Sequence, residues 1–250
     1  MSWAEDNLIL KTLGGSHAYG LNTPTSDMDF RGVALSPVNW LLGFRPGQES
    51  SETAERKHPD TGEDTVIHTL GKFCSLALKG NPNILEVLFC RDEEVLDWTQ
   101  TGRELRVMRD AFLSRAVFAS LSGYAYQQLR NARNHNSYHG AHAEYIEKYG
   151  WDTKNGMHLV RLLLMGKEIL ATGELHVYRE KDRDFLLGIR NGSMTYWQVT
   201  QMAEEMDAEC GRLRERSPLP EKPDRERVEK WLMEVHLRWV NGDSTLLLRS

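Results

Sequence analysis

The chain has 250 residues, of which 40% are hydrophobic and 27% are charged, and its formal net charge is −5. This composition is typical of a globular protein with one large domain or two smaller ones, and it argues against a broadly basic surface that coats nucleic acid. The N-terminal residues show no secretory signal and no apolar run approaches the length of a membrane span, so we expect a cytoplasmic protein without membrane contact. The three cysteines are widely spaced and offer no disulfide framework, which suits a reducing compartment.

The first predicted elements are two strands joined by a loop that can bind phosphate. Residues 8–13 form an apolar run typical of a buried strand, and this run stops just before Gly15 and Ser16. A glycine at the end of a strand lets the backbone approach a ligand, so the two N–H groups and the Ser16 hydroxyl can surround phosphate oxygens. A turn-rich stretch with room for a short helix at 18–21 then leads to the second predicted strand, residues 28–35.

Two carboxylates stand at the start of the second predicted strand. Asp27 and Asp29 are one residue apart, and in a strand they point to the same face with Cα atoms roughly 6.5–7 Å apart. Two such carboxylates repel each other unless a cation lies between them, and Mg²⁺ takes carboxylate oxygens together with phosphate oxygens. The pattern therefore indicates metal-assisted phosphoryl or nucleotidyl transfer. The alternative is a turn in which the aspartates only cap or solvate a loop.

The following stretch, up to about residue 100, alternates short elements. Residues 37–44 predict a short helix over the sheet, residues 49–62 predict a polar loop, and Asp64 precedes a short predicted strand at 66–68. Residues 70–79 have helical spacing, and Gly80 and Pro82 end that helix. Residues 84–90 fit either a strand or a helix. We interpret Glu86 in this run as a structural partner for a buried base, with a role in the site as the alternative.

Three blocks of the sequence resemble one protein family. Gly15-Ser16 followed by Asp27-Met28-Asp29 resembles the active-site signature of the DNA polymerase β nucleotidyltransferase superfamily. The longer blocks are similar to an RlaP-like branch of predicted nucleotidyltransferases, which are associated with bacterial RNA-repair operons and also found in phages. These blocks are GSHAYGLNTPTSDMDFRGV, DTVIHTLGKFCSLALKGNPNILEVLF and WDTKNGMHLVRLLL. They occur in the family's order between residue 8 and about residue 192.

The resemblance implies a metal-dependent transfer of a nucleoside monophosphate from an NTP to an acceptor hydroxyl, such as the end of a tRNA or of a broken RNA. In this interpretation Asp27 and Asp29 hold Mg²⁺ or Mn²⁺, and Asp64 is a third ligand that activates the acceptor hydroxyl. Gly15 and Ser16 hold the β- and γ-phosphates. The alternative for Asp64 is that it caps the following segment. A phage-encoded chain would work in the host cytoplasm.

From about residue 102 the pattern changes from short strands to long helices. We therefore predict an α+β protein, with a nucleotidyltransferase core at residues 1–100 on a small mixed sheet. Residues 101–250 are predicted to be a helical domain that completes the nucleotide and substrate cleft. Within it, residues 151–172 have the clearest helical pattern, which Asp152 or Thr153 can cap and Gly173 can end.

A row of basic side chains lies on that predicted helix. Lys154, His158 and Arg161 are spaced at i, i+4 and i+7 and therefore share one face. Such a row is either a solvated rim or a site for an anion, and cations aimed at a triphosphate would stabilise the leaving pyrophosphate. With the family resemblance, we favour contact with nucleotide or substrate phosphate.

The histidines at 135, 139 and 142 have the same helical spacing, which makes a zinc site conceivable. Asn, Ser and Gly make the segment a poor helix, and it has no cysteine partner, so we interpret it as a polar loop near the nucleotide.

Two other classes of function remain open at this point. One is a nucleotide-binding regulatory module of antitoxin type that has the site but no turnover. The other is an RNA-binding subunit in which the Asp27-Met28-Asp29 motif is incidental. Transfer of the nucleotide to a protein is a variant of the favoured reaction.

Overall fold

The structure is a computed structural model that describes residues 2–43, 52–133 and 143–249. One five-stranded mixed sheet and many helices make up these residues, which confirms the predicted α+β class. The strands are β1 (Leu8–Gly14), β2 (Asp29–Ala34), β3 (Thr53–Lys57), β4 (Asp64–Thr69) and β5 (Val95–Trp98). The helices are α1 (Ser2–Asp6), α2 (Gly15–Ala18), α3 (Val38–Leu42), α4 (Leu70–Leu78), α5 (Pro82–Phe89), α6 (Gln100–Val107), α7 (Val117–Arg133), α8 (Ala143–Tyr149), α9 (Thr153–Thr172), α10 (Arg183–Arg190), α11 (Tyr196–Arg216) and α12 (Arg225–Val240). Among the described residues, no helix combines the length and apolarity needed to cross a membrane.

The sheet has the strand order β3-β4-β2-β1-β5. Its one parallel pair is β2 with β4, and the other neighbours are antiparallel. Because β2 and β4 are parallel, their N-terminal ends lie side by side at the same end of the strands, which we call the site edge of the sheet. The antiparallel partner β1 reaches the same edge with its C-terminal end. Three chain segments that are distant in sequence therefore meet there.

The chain divides into two compact units, Met1–Leu113 with Pro223–Ser250, and Ser114–Lys222. The predicted division near residue 100 followed the change in composition. The compact units instead group residues 101–113 and 223–250 with the sheet. In the first unit, α4, α5 and α6 supply apolar side chains to a core shared with β1 and β2. Its fully buried members include Leu10, Val33, Phe73, Leu85 and Leu105.

The second unit is built around α9. This helix begins after Asp152, whose Oδ1 accepts from the Asn155 N–H at 3.0 Å, and it ends at Gly173 in the left-handed conformation with φ of 79°. Both ends agree with the sequence prediction. Thirteen of its residues are buried, and α7, α10 and α11 pack against it. The predicted histidine segment, with residues 135, 139 and 142, lies outside the described residues.

Two local predictions need correction. The predicted polar loop at 49–62 contains strand β3, which pairs antiparallel with β4 at the edge of the sheet. Its residues, Thr53 to Lys57, turn only Ala54 inward and are otherwise polar or charged, so the strand has little apolar signal. The short helix expected at 18–21 occurs instead as α2, directly after β1.

The ambiguous stretch at 84–90 is helical. Pro82 occupies the first turn of α5, and the Asn81 side chain accepts from the Asn83 N–H at 3.0 Å. Proline at the first helical position and Asn as the cap are both signals for a helix start. These local signals decide between helix and strand where the apolar pattern alone does not.

Candidate active site

The register of the sheet aligns two of the predicted carboxylates. Asp29 is the first residue of β2 and pairs with Asp64, the first residue of β4. On its other side Asp29 pairs with Gly14, the last residue of β1. The Asp64 N–H also donates to the carbonyl oxygen of Met28 at 3.0 Å. The structure therefore brings Asp29 and Asp64 side by side, and we refer to them as the carboxylate pair.

Gly15 lies directly against the carboxylate pair. Its φ is +55°, a conformation that favours glycine. A Cβ atom placed on Gly15 would lie 1.9 Å from Asp29 Oδ2 and 2.9 Å from Asp29 Cγ. No side chain fits in that space, so the backbone of the phosphate loop approaches Asp29 only because this residue is glycine.

An arginine lies among the carboxylates. Arg31 Nη1 is 3.3 Å from Asp64 Oδ2, and Arg31 Nη2 is 3.6 Å from Asp29 Oδ1. Its Nε is 3.9 Å from Oε1 of Glu86. Sequence reasoning missed Arg31, although a usable signal was present. A residue two positions after Asp29 in a strand lies on the same face of the sheet.

Glu86 connects this cluster to the core. It is 3% exposed on α5, and its Oε1 accepts from the Gly15 N–H at 3.4 Å. Together with the Arg31 contact, this agrees with the interpretation of Glu86 as a partner for a base. The Gly15 N–H therefore donates to Glu86, whereas the sequence analysis predicted that it would donate to phosphate. Of Gly15 and Ser16, the half-buried Ser16, in the first turn of α2, is then the candidate for a phosphate contact.

Asp27 lies two residues before β2. The second strand begins at Asp29 and not at residue 28, so Asp27 stands in the preceding loop and is exposed. The argument that Asp27 and Asp29 share a strand face therefore does not apply. A Cβ on Gly62 would lie 3.0 Å from Asp27 Oδ1, so the turn before β4 lies against Asp27. In the part of the chain that the structure describes, no three His, Cys, Asp or Glu side chains are arranged to hold a metal ion.

The basic row lies on α9 in the second unit. Lys154 and His158 are half-buried, and Arg161 is buried at 7% exposure. A solvated rim, which was the alternative interpretation, does not describe Arg161. Contact of these three side chains with phosphate stays a prediction.

Comparison with known proteins assigns the chain to a protein family. The family model described as RlaP, RNA repair pathway DNA polymerase beta family, matches residues 3–234. An uncharacterised 38.9 kDa protein from the nrdC–mobD intergenic region of Enterobacteria phage T4 is 30% identical over 91 residues, which are 35% of this chain and 27% of that protein. The aligned segment thus spans about a quarter of the phage protein. A crystal structure of a nucleotidyltransferase-like protein from Exiguobacterium sibiricum matches 94% of this chain and 75% of its own, at 12% identity and a TM-score of 0.28.

Proposed function

Because the chain belongs to the RNA repair pathway DNA polymerase beta family, whose members are nucleotidyltransferases, we propose that it transfers a nucleoside monophosphate from an NTP to a hydroxyl at an RNA end. The observation that carries this proposal is the carboxylate pair, Asp29 and Asp64, in register on neighbouring parallel strands. A phosphate loop that approaches Asp29 through Gly15 supports it.

The side chains of this edge suit a hard divalent cation. Asp29 and Asp64 offer carboxylate oxygens from adjacent strands and are only partly exposed. Oxygen ligands of this type are those that Mg²⁺ and Mn²⁺ prefer. Asp29 and Asp64 would hold the ion, and Asp27 is proposed as a further ligand from the sequence motif alone. A divalent ion bound there would offset the charge of the transferred phosphate and make the attacking hydroxyl more acidic.

The proposed reaction forms one bond and breaks one. The acceptor hydroxyl oxygen attacks the α-phosphorus of the NTP, and the bond from that phosphorus to the α,β-bridging oxygen breaks to release pyrophosphate. Asp64 accepts the hydroxyl proton. Ser16, which follows the Gly15 N–H that donates to Glu86, holds the β- and γ-phosphates, and Arg31 partly offsets the charge of the carboxylate pair from 3.3 and 3.6 Å.

The sequence pattern is the reason for including the basic row of α9 in the proposal. Lys154, His158 and Arg161 are proposed to bind substrate phosphate.

The proposal is tested by transfer of an α-phosphate label. Each of the four NTPs is incubated with Mg²⁺ or Mn²⁺ and a mixed RNA pool, using the native chain, Asp29→Asn and Asp64→Asn. Asp6→Asn, an exposed carboxylate at the end of α1, is the matched control. We expect label on RNA with the native chain and the control, and a loss of at least ~10²-fold in both site variants because a ligand and a proton acceptor are removed.

Other outcomes assign other functions. Label on the protein would move the acceptor from RNA to protein. Tight NTP binding without release of pyrophosphate would favour the regulatory, antitoxin-like module. If Asp29→Asn and Asp64→Asn were as active as Asp6→Asn, the carboxylate pair would not be the catalytic site.

A further inference from the structure

A pocket of about 610 Å³ lies in the first unit beside β5, the edge strand of the sheet. Trp98 of β5 forms one wall, and Arg103, Arg106 and Arg109 from the following segment form another. We infer that this arginine pocket, defined by these four residues, binds single-stranded RNA through its phosphates and stacked bases. The inference rests on the proposed transfer to RNA and names the surface that holds the acceptor strand.

The charge of the pocket favours an anion. Its three arginines face two aspartates, and both aspartates already have a cation beside them. Asp92 Oδ1 accepts from Arg106 Nη1 at 3.0 Å, and Asp110 Oδ2 accepts from Arg227 Nη1 at 2.9 Å. Among the described residues that line the pocket, the arginines thus outnumber the aspartates by three to two, on a chain whose net charge is −5. A local basic groove of this kind attracts the phosphate backbone without a basic overall surface.

The arginines also lie beside aromatic rings. The Arg103 guanidinium carbon lies 4.4 Å from the centroid of the Trp98 ring, and that of Arg106 lies 5.4 Å from it. The Arg109 guanidinium carbon lies 5.6 Å from the centroid of the Phe89 ring. Aromatic rings and guanidinium planes together are the surfaces on which single-stranded bases stack. A free inorganic anion would use the arginines but not the rings.

The sequence of α6 explains why these groups converge. Arg103 and Arg106 are three residues apart and therefore lie on one face of the helix. Glu104 accepts from the Trp231 indole N–H at 3.3 Å instead of joining them. Arg106 is held rigidly, because it is 3% exposed and donates to the carbonyl oxygen of Leu88 as well as to Asp92. The pocket is thus preorganised by the core.

The pocket lies within reach of the carboxylate pair. Trp98 pairs with Leu10 in the sheet, and Gly14 pairs with Asp29. The separation is ~13 Å along β1, for four residues, and ~10 Å at right angles to it, for two strand spacings. The Trp98 backbone is therefore ~16 Å from Asp29, a distance that a few nucleotides of single-stranded chain can cover.

The test is a titration of a short fluorescein-labelled oligoribonucleotide, followed by fluorescence anisotropy over a range of salt concentrations. The variant is Arg103→Gln/Arg109→Gln. The matched control is Arg225→Gln/Arg238→Gln, which removes the same charge from exposed positions on α12 of the same unit. We expect Kd to rise roughly tenfold or more in the pocket variant, with a slope of log Kd against log salt that is smaller by about 2. Circular dichroism confirms that each variant is folded.

Two results would overturn the inference. One is RNA binding in the pocket variant within about twofold of the native chain, and the other is an equal loss in the α12 control, since that would be an effect of net charge alone. The label-transfer assay separates this test from the proposed function. Asp29→Asn should abolish transfer and still bind the oligoribonucleotide, whereas the pocket variant should raise the KM for RNA and leave NTP binding unchanged. RNA binding that depends on the pocket without any label transfer would support the pocket and refute the proposed reaction.

Discussion

Replacement of Gly15 by Ala tests the geometry of the candidate site most directly. The new Cβ would lie 1.9 Å from Asp29 Oδ2, whereas ordinary contacts begin at 3.4 Å. The carboxylate must therefore retreat by about 1.5 Å, or the loop must move by a similar amount. Alanine at a φ of +55° costs roughly 1–2 kcal/mol more than glycine, and the overpacking adds roughly 1–3 kcal/mol. Because Asp29 is partly exposed and can rotate, we expect a total near the lower end, about 2 kcal/mol of unfolding free energy.

The same displacement should affect catalysis more than stability. A catalytic group that is misplaced by about 1 Å can cost ~10²-fold in rate. We therefore expect Gly15→Ala to remain folded and to lose ~10²-fold or more of label transfer, in proportion to the shift of Asp29. Urea unfolding followed by tryptophan fluorescence measures the first quantity, and initial rates of transfer measure the second.

A second glycine in the same unit supplies the control. The nearest heavy atom to a Cβ on Gly71, in α4, is His236 Cε1 at 3.9 Å, which is an ordinary contact. Gly71→Ala should therefore raise stability by about 0.5–1 kcal/mol, as expected for alanine in a helix, and leave transfer unchanged. If Gly15→Ala behaved like Gly71→Ala in both assays, the close approach of the loop to Asp29 would be refuted.

Three further predictions concern charge and burial. Arg31→Met removes a cation within 3.6 Å of both members of the carboxylate pair. Since repulsion between such a charge and a bound metal ion is worth about 1 kcal/mol or more, the variant should bind Mn²⁺ roughly tenfold tighter in a titration followed by EPR. Weaker binding would show that Arg31 mainly orients the carboxylates. Burial raises the pKa of Cys74 and of Cys90 to about 12, so both thiols should react slowly with DTNB in the folded protein and rapidly in urea, and fast reaction of the native chain would contradict their burial. Burial lowers the pKa of His236 below 6.5, so the unfolded chain binds the proton more tightly and stability should fall as the pH drops through about 6.5. Thermal melts on either side of that pH should show a smaller fall in His236→Gln, and an equal fall in both chains would exclude His236 as a cause.

The parts of the site that the sequence predicted are those with local signals. The glycine and serine after an apolar run, and the aspartates before the next one, mark the loop and the start of β2. Asp64 required more, because its position beside Asp29 depends on the parallel register of β2 and β4. Only the family resemblance indicated that pairing in advance. The hydrophobic periodicity of either strand does not predict which residues pair between β2 and β4.

Residues 223–250 show a different limit of sequence reasoning. The amphipathic pattern of α12 predicts a helix with a buried face but not the surface that covers it. In the structure the Trp239 indole N–H donates to the carbonyl oxygen of Ser36 at 2.8 Å, and Thr101 Oγ1 donates to that of Leu246 at 2.8 Å. These contacts join the C-terminal segment to the unit that contains the sheet. Partners so distant in sequence leave no trace in local composition, which is why the composition placed this segment in the helical domain.

Arg31 links the buried core to the chemistry at the edge of the sheet. Glu86 is 3% exposed, and a buried carboxylate is costly unless a charge and a hydrogen-bond donor face it. Arg31 and the Gly15 N–H provide these contacts, so the guanidinium is held from the core while Asp29 and Asp64 contact it from the half-exposed side. Among the described residues, Arg31 thus lies near three carboxylates, and a divalent ion would add positive charge where β2 and β4 begin. Glu86 therefore contacts both the Gly15 N–H, in the loop proposed for phosphate binding, and Arg31, which lies beside the carboxylates proposed for metal binding.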